Sequence, residues 1–169
     1  MNICVVDTSA LLTDTDLIKK LYSCKIIIHT IVIEELANLC NRKGVKGERA
    51  RKVKNELFKI RNRGDFYNGI RLKHNTILQF DDRKPDTDLL RFGYDPGNKD
   101  NLLLCVAREL QEETDQKVTL LTGDKFFLLK AGDDIKVEYV KQINNTAKKK
   151  KPRNKGYYNK GSELAIKRA

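Results

Sequence analysis

The chain has 169 residues, 40% of them hydrophobic, the size of one ordinary domain with enough apolar material for a continuous core. No run approaches the roughly eighteen uninterrupted apolar residues of a membrane span, and Met1 leads into a strand-like run instead of a basic-then-apolar signal, so the chain reads as soluble and cytoplasmic, away from any membrane. The net charge of +11 is uneven: residues 42–63 carry ten Lys or Arg against Glu48 and Glu56, residues 141–169 carry ten against Glu163, and the remainder sums to −6. An acidic body with two basic attachments suits a polyanionic partner.

Taken in chain order, residues 3–6 form an apolar run that ends on Asp7, and residues 25–28 form a second; both have the look of buried parallel strands. Residues 30–41 read as a helix with Ile33, Leu36, Ala37 and Cys40 on its apolar face. Residues 46–63 read as another, with Ala50, Val53, Leu57 and Ile60 inward and Arg49, Arg51, Lys52, Lys54, Lys59 and Arg61 on the other faces. The stretch 66–99 holds a short strand near 77–80 and otherwise reads as loop, and a loop of that length is usually functional or mobile. A third helix follows over 100–113 through Leu103, Leu104, Ala107 and Leu110, then a strand over 118–121, then Thr122, Gly123 and Asp124 before the helix KFFLLKA. From about residue 142 the sequence lacks apolar mass and reads as disordered until bound. Such alternation predicts an α/β layered fold on a mostly parallel sheet, with one domain over 1–140 and a basic tail over 141–169. Cys4, Cys24, Cys40 and Cys105 stand singly inside apolar runs, without zinc-site pairs or a disulfide framework, and read as buried thiols.

Four acids stand at strand ends or helix starts: Asp7, Glu35, Asp100 and Asp124. In open parallel sheets the crevice beyond the carboxyl ends of the strands is where ligands bind. Glu34 shares its stripe with Asn38 and Asn41 and faces water, whereas Glu35 stacks with Ile31 and Leu39 beside the apolar face. Each acid alone has a simple structural reading, a helix cap or an ion pair. Together they do not, because two carboxylates about 4 Å apart repel by roughly 4 kcal/mol at an effective dielectric near 20. Several such pairs would rival the whole stability of a domain, about 5–15 kcal/mol. Convergence therefore calls for cations, and carboxylates without His or Cys select hard ones, Mg²⁺ or Mn²⁺. Thr8, Ser9 and Thr122 are placed to hold waters or carboxylates.

The stretches VVDTSALL, IVIEELANL, KDNLLLCVAREL and VTLLTGDKFFLLKA, in that order, resemble the PIN domain, and KGERARKVKNEL resembles the PIN half of PhoH-type proteins. The resemblance spans about residues 1–140 apart from 66–99, and implies a three-layer α/β/α sandwich whose acids bind Mg²⁺ or Mn²⁺ and whose usual substrate is RNA. Carried over, the family's acids fall on Asp7, Glu35, Asp100 and Asp124. Many members have an acid beside the helix-opening Asp, where this chain has Lys99 and Asn101. There is no GxxxxGK[ST] sequence, so the chain reads as a stand-alone version without the ATPase half.

The leading expectation is a metal-dependent endoribonuclease that hydrolyses single-stranded RNA at Asp7, Glu35, Asp100 and Asp124. Arg49, Arg51, Lys52 and Lys54, with Lys148, Lys149, Lys150 and Lys151 of the tail, would hold the RNA backbone. The rivals are an RNA-binding module with a degenerate metal site and a toxin-like PIN ribonuclease controlled by an inhibitory protein partner; self-association into a homo-oligomer is compatible with each. A haloacid dehalogenase phosphatase would need an acid where Ser9 stands, and a receiver domain needs adjacent acids that Val6 and Asp7 do not supply. His29 and His74 have no companions and read as structural.

Overall fold

A computed structural model describes residues 1–141, and the tail lysines at 148–151 lie outside the described residues. Six strands form one sheet in the order β3-β4-β2-β1-β5-β6. They are β1 (Asn2–Val6), β2 (Cys24–His29), β3 (Ile70–Arg71), β4 (Ile77–Asp81), β5 (Val118–Thr122) and β6 (Lys136–Tyr139). All pairings are parallel except that of β3 with β4. The strands expected at 3–6, 25–28, 77–80 and 118–121 are all present, each one or two residues longer. β3 and β6 are additions: β3 has two residues, and β6 (KVEY) alternates charge with apolar side chains at the sheet edge, where an uninterrupted apolar run is not required.

The helices are α1 (Thr8–Thr13), α2 (Leu17–Lys20), α3 (Thr30–Cys40), α4 (Val45–Arg61), α5 (Lys99–Thr114) and α6 (Phe126–Ala131), with a 3-10 turn at Thr87–Leu89. Along the chain the sheet grows from β1 through β2 to β4, then restarts on the other side of β1 with β5 and β6. Parallel crossovers are right-handed, so reversing the direction of growth reverses the face that the connecting helices cover. α1 to α4 pack among themselves on one face, while α5 packs against α6 and β5 on the other. The result is the three-layer α/β/α sandwich. Its reversal point lies between the carboxyl ends of β1 and β5.

Ala50, Val53, Leu57 and Ile60 of α4 are all buried, as their spacing requires. In α3 the buried stripe is Val32, Leu36 and Leu39. Ile33 and Cys40 are half-buried and Ala37 is exposed, because they face the side toward α4 instead of the sheet. Cys4, Cys24 and Cys105 are buried free thiols and Cys40 is partly covered. Among the described residues no helix is long and apolar enough to cross a membrane.

The long connection after Phe66 is tied down at two points. The Phe66 and Phe80 rings stack at 4.0 Å between centroids, closing the β3–β4 hairpin onto the core. His29, only 1% exposed, accepts the Ile31 N–H on Nδ1 (3.2 Å) and meets the Arg83 carbonyl with Nε2 (2.8 Å). An accepting Nδ1 fixes the neutral tautomer whose Nε2–H donates to that carbonyl. One imidazole thus caps α3 and moors the loop after β4. His29→Ala loses both bonds, and chemical denaturation is expected to show a loss of about 1–3 kcal/mol.

Candidate active site

Asp7 follows β1 at the reversal point and is 7% exposed. It occupies the N-cap position of α1, yet its side chain makes no cap bond. The carboxylate instead accepts hydrogen bonds from the hydroxyls of Ser9 and, at 2.9 Å, Thr122. The simple structural reading of this acid, a helix cap, therefore does not hold. Ser9 joins the two strand ends: its Oγ lies 3.0 Å from Thr122 Oγ1 and accepts the Gly123 N–H at 2.8 Å. Thr8 turns the other way and donates to Glu35 Oε2 at 2.8 Å, linking the start of α1 to α3.

Burial pushes the Asp7 carboxyl up to about 6; the Ser9 and Thr122 hydroxyls pull it down, and the negative charges of Asp100 and Glu35 push it up again. Asp7, Glu35 and Asp100 thus share one electrostatic environment. Glu35 is half-buried and Glu34 exposed, as the stripe argument requires. Asp100 lies in the first turn of α5, not at its cap; Asn98 is the cap and accepts the Asp100 N–H at 2.9 Å. The Asp100 side chain is 39% exposed and pairs with Lys130 Nζ at 3.1 Å. Asp124 Oδ1 accepts the Phe126 N–H at 2.9 Å, a local turn bond made from just ahead of Lys125, the N-cap residue of α6. Asp124 is not among the charges that act most strongly on Asp7. Among the described residues, no three His, Cys, Asp or Glu side chains stand together closely enough to enclose a metal ion.

The basic residues of α4 divide in a way that spacing alone does not reveal. Arg49 donates to the Leu12 carbonyl at 3.1 Å, Arg51 closes the end of α3 on the Cys40 (2.8 Å) and Arg42 (3.1 Å) carbonyls, and Lys52 pairs with Asp16 at 3.2 Å. Lys54 instead borders an apolar groove of about 510 Å³ between α3, α4 and the hairpin, together with Arg61, Phe58 and Tyr67.

With Asp7 at the reversal point of a parallel sheet and the hydroxyl network around it in place, the family is decided by a match over residues 4–141 to the PIN domain. The chain belongs to the PIN domain family. PIN domains are generally nucleases. A domain of a functionally unknown protein from Methanocaldococcus jannaschii DSM 2661 is similar in structure, with a TM-score of 0.50 and 25% identity over 87% of this chain and 96% of that one. VapBC2 from Rickettsia felis, bound to a DNA fragment from their promoter, matches with a TM-score of 0.45 and 18% identity over 81% of this chain and 98% of that one. No curated protein matches the chain in sequence.

Three residues around this PIN domain's site carry little or no sequence signal of their own. His29 orients the helix that bears Glu35, and Lys130 meets Asp100. Gly123 lets the turn after β5 press on α1: a Cβ there would strike the Thr13 hydroxyl and come within 2.6 Å of the Ser9 carbonyl. The TGD turn gave a weak hint of Gly123, since glycine between a strand and an acid often marks a close approach. Gly123→Ala is expected to destabilise the protein by about 1–3 kcal/mol in denaturant unfolding, through overpacking against α1.

The raised Asp7 pKa makes stability depend on pH in a definite direction. Between its ordinary value of 3.8 and about 6 the unfolded chain releases the Asp7 proton first, so rising pH favours unfolding, and the cost is complete above about 6. Asp7→Asn removes that cost. In chelator, the variant is expected to exceed the parent protein by up to about 3 kcal/mol above pH 7, with the advantage fading toward pH 4. Thermal unfolding across this range measures it.

Proposed function

We propose that this PIN domain is a divalent-metal-dependent endoribonuclease that hydrolyses phosphodiester bonds of single-stranded RNA. The observation that carries the reading is Asp7: a buried carboxylate at the sheet's reversal point, held by hydroxyls alone and driven further from its charged form by Asp100 and Glu35. A fold keeps such a group at a cost unless a cation relieves it.

The residues present suit Mg²⁺ or Mn²⁺. The donors are carboxylate and hydroxyl oxygens, without thiolate or imidazole, which selects hard cations. Mg²⁺ keeps several waters and is usually bound by one or two carboxylates, so a closed cage of three is not required. Asp7, with Glu35 and Asp100, would hold the ion, and the free oxygen of Asp124 would complete the site through its water shell. Such an ion, once bound, lowers the pKa of a water and neutralises charge on a phosphate oxygen.

The chain's own residues do the rest. Ser9 and Thr122 hold the Asp7 carboxylate at a fixed angle, and Thr8 does the same for Glu35. Orientation by such supporting bonds is worth about 10–100-fold in metal affinity or activity. Lys54 and Arg61, on the exposed side of α4, attract the phosphate backbone, and Lys148, Lys149, Lys150 and Lys151 extend that attraction with a steep dependence on salt.

An unstructured RNA incubated with the protein is expected to yield internal cuts with Mn²⁺ or Mg²⁺ and none with EDTA. Asp7→Asn, although the more stable protein without metal, is expected to lose cleavage. RNA left intact under every metal condition, or RNA retention indifferent to EDTA, would instead identify a binding module.

A further inference from the structure

Asp100 carries a partner that the mechanism above does not use. Lys130 Nζ lies 3.1 Å from Asp100 Oδ2, reaching from α6 across to the first turn of α5. Its placement is supported by its surroundings: the side chain is 24% exposed, the ammonium sits 5.9 Å from the centre of the Phe127 ring, and Tyr94 OH donates to the Lys130 backbone carbonyl at 3.3 Å. A carboxylate in the first turn of a helix is already favoured by the helix dipole, so the helix itself does not call for an ammonium there. What does call for a positive charge is the group of acids, since Asp100 and Glu35 both weigh on the buried Asp7.

We infer that Lys130 is the resident counter-ion of this site, a positioning residue that holds Asp100 while no divalent ion is bound and is displaced from it when one binds. The inference rests on Asp100 serving the metal as proposed above. An ammonium and a divalent cation attached to one carboxylate lie only a few Å apart, and their repulsion makes the two occupants exclude each other. Lysine suits such an exchange better than arginine because its charge sits on a flexible four-carbon stem and forms no bidentate clamp. Partial exposure leaves it room to swing away. The consequence is a site whose metal affinity is set partly by its own side chain, with no change of fold.

The test uses the full chain and Mn²⁺ alone, read by calorimetry and by the electron paramagnetic resonance of the free ion, with Lys130→Met and Lys130→Gln as two neutral variants and Lys130→Arg as the charged one. Both neutral variants are expected to bind Mn²⁺ roughly tenfold more tightly than the parent, because a like charge beside the ion is gone. Their melting temperatures are expected to fall below the parent's in EDTA and to gain more from added Mn²⁺, whereas Lys130→Arg should bind no more tightly than the parent. Equal or weaker Mn²⁺ binding by a folded neutral variant overturns the role of Lys130 alone. Absence of Mn²⁺ binding in the parent and all three variants overturns the metal reading, and this inference with it.

Discussion

The structure depends on a carboxylate buried where it is electrostatically uncomfortable. Asp7 ends a strand whose preceding residues are almost completely buried, and it sits where the sheet reverses its direction of growth. At such a point two neighbouring strands send their connections to opposite faces, leaving a crevice that no helix covers. The acid is therefore desolvated by the core beneath it, with only 7% of its surface left to solvent. Hydroxyls from Ser9 and Thr122 supply its hydrogen bonds without supplying charge.

Much of the surrounding architecture can be understood as support for that arrangement. Ser9 and Gly123 weld the end of β5 to the start of α1, and the missing Cβ at Gly123 is what permits the approach. Thr8 ties the same turn to Glu35. His29 fixes the beginning of the helix that carries Glu35, and with its other nitrogen secures the loop that leads toward α5 and Asp100. Lys130 meets Asp100 from the neighbouring helix of the same layer. Elements distant in sequence thus reach the reversal point through short, directional contacts, and the hydrophobic core fixes the strand ends on which those contacts are built.

The basic face of α4 illustrates why composition is a poor guide to contact. A helix with cations on several faces looks like a nucleic-acid grip, yet Arg49, Arg51 and Lys52 use their charges to finish the fold, capping the open carbonyls of neighbouring helices or pairing with Asp16. Orphan carbonyls at helix ends need donors, and long basic side chains are the nearest ones available. Lys54 remains turned outward beside exposed aromatic rings, while Arg61 closes the end of α4 on the Gly64 carbonyl at 2.9 Å.

The sequence by itself determined the alternation of strands and helices, the inward face of α4, the more covered position of Glu35 than of Glu34 and the placing of four acids at strand ends or helix starts, because periodicity and strand-end position are local properties. It placed the apolar face of α3 on Ile33, Leu36, Ala37 and Cys40, and the structure keeps Leu36 but turns the buried stripe to Val32, Leu36 and Leu39, since a short helix with apolar residues on two sides is oriented by its neighbours. Only the tertiary structure decided that Asp7 is held by Thr122 instead of capping α1, that Asp100 has a lysine partner and that His29 joins two segments. Each of those facts turns on a contact between residues far apart in the chain: Asp7 with Thr122, Asp100 with Lys130, His29 with Arg83. Such contacts are set by how layers pack and where a sheet reverses, not by the spacing of residues along any one segment.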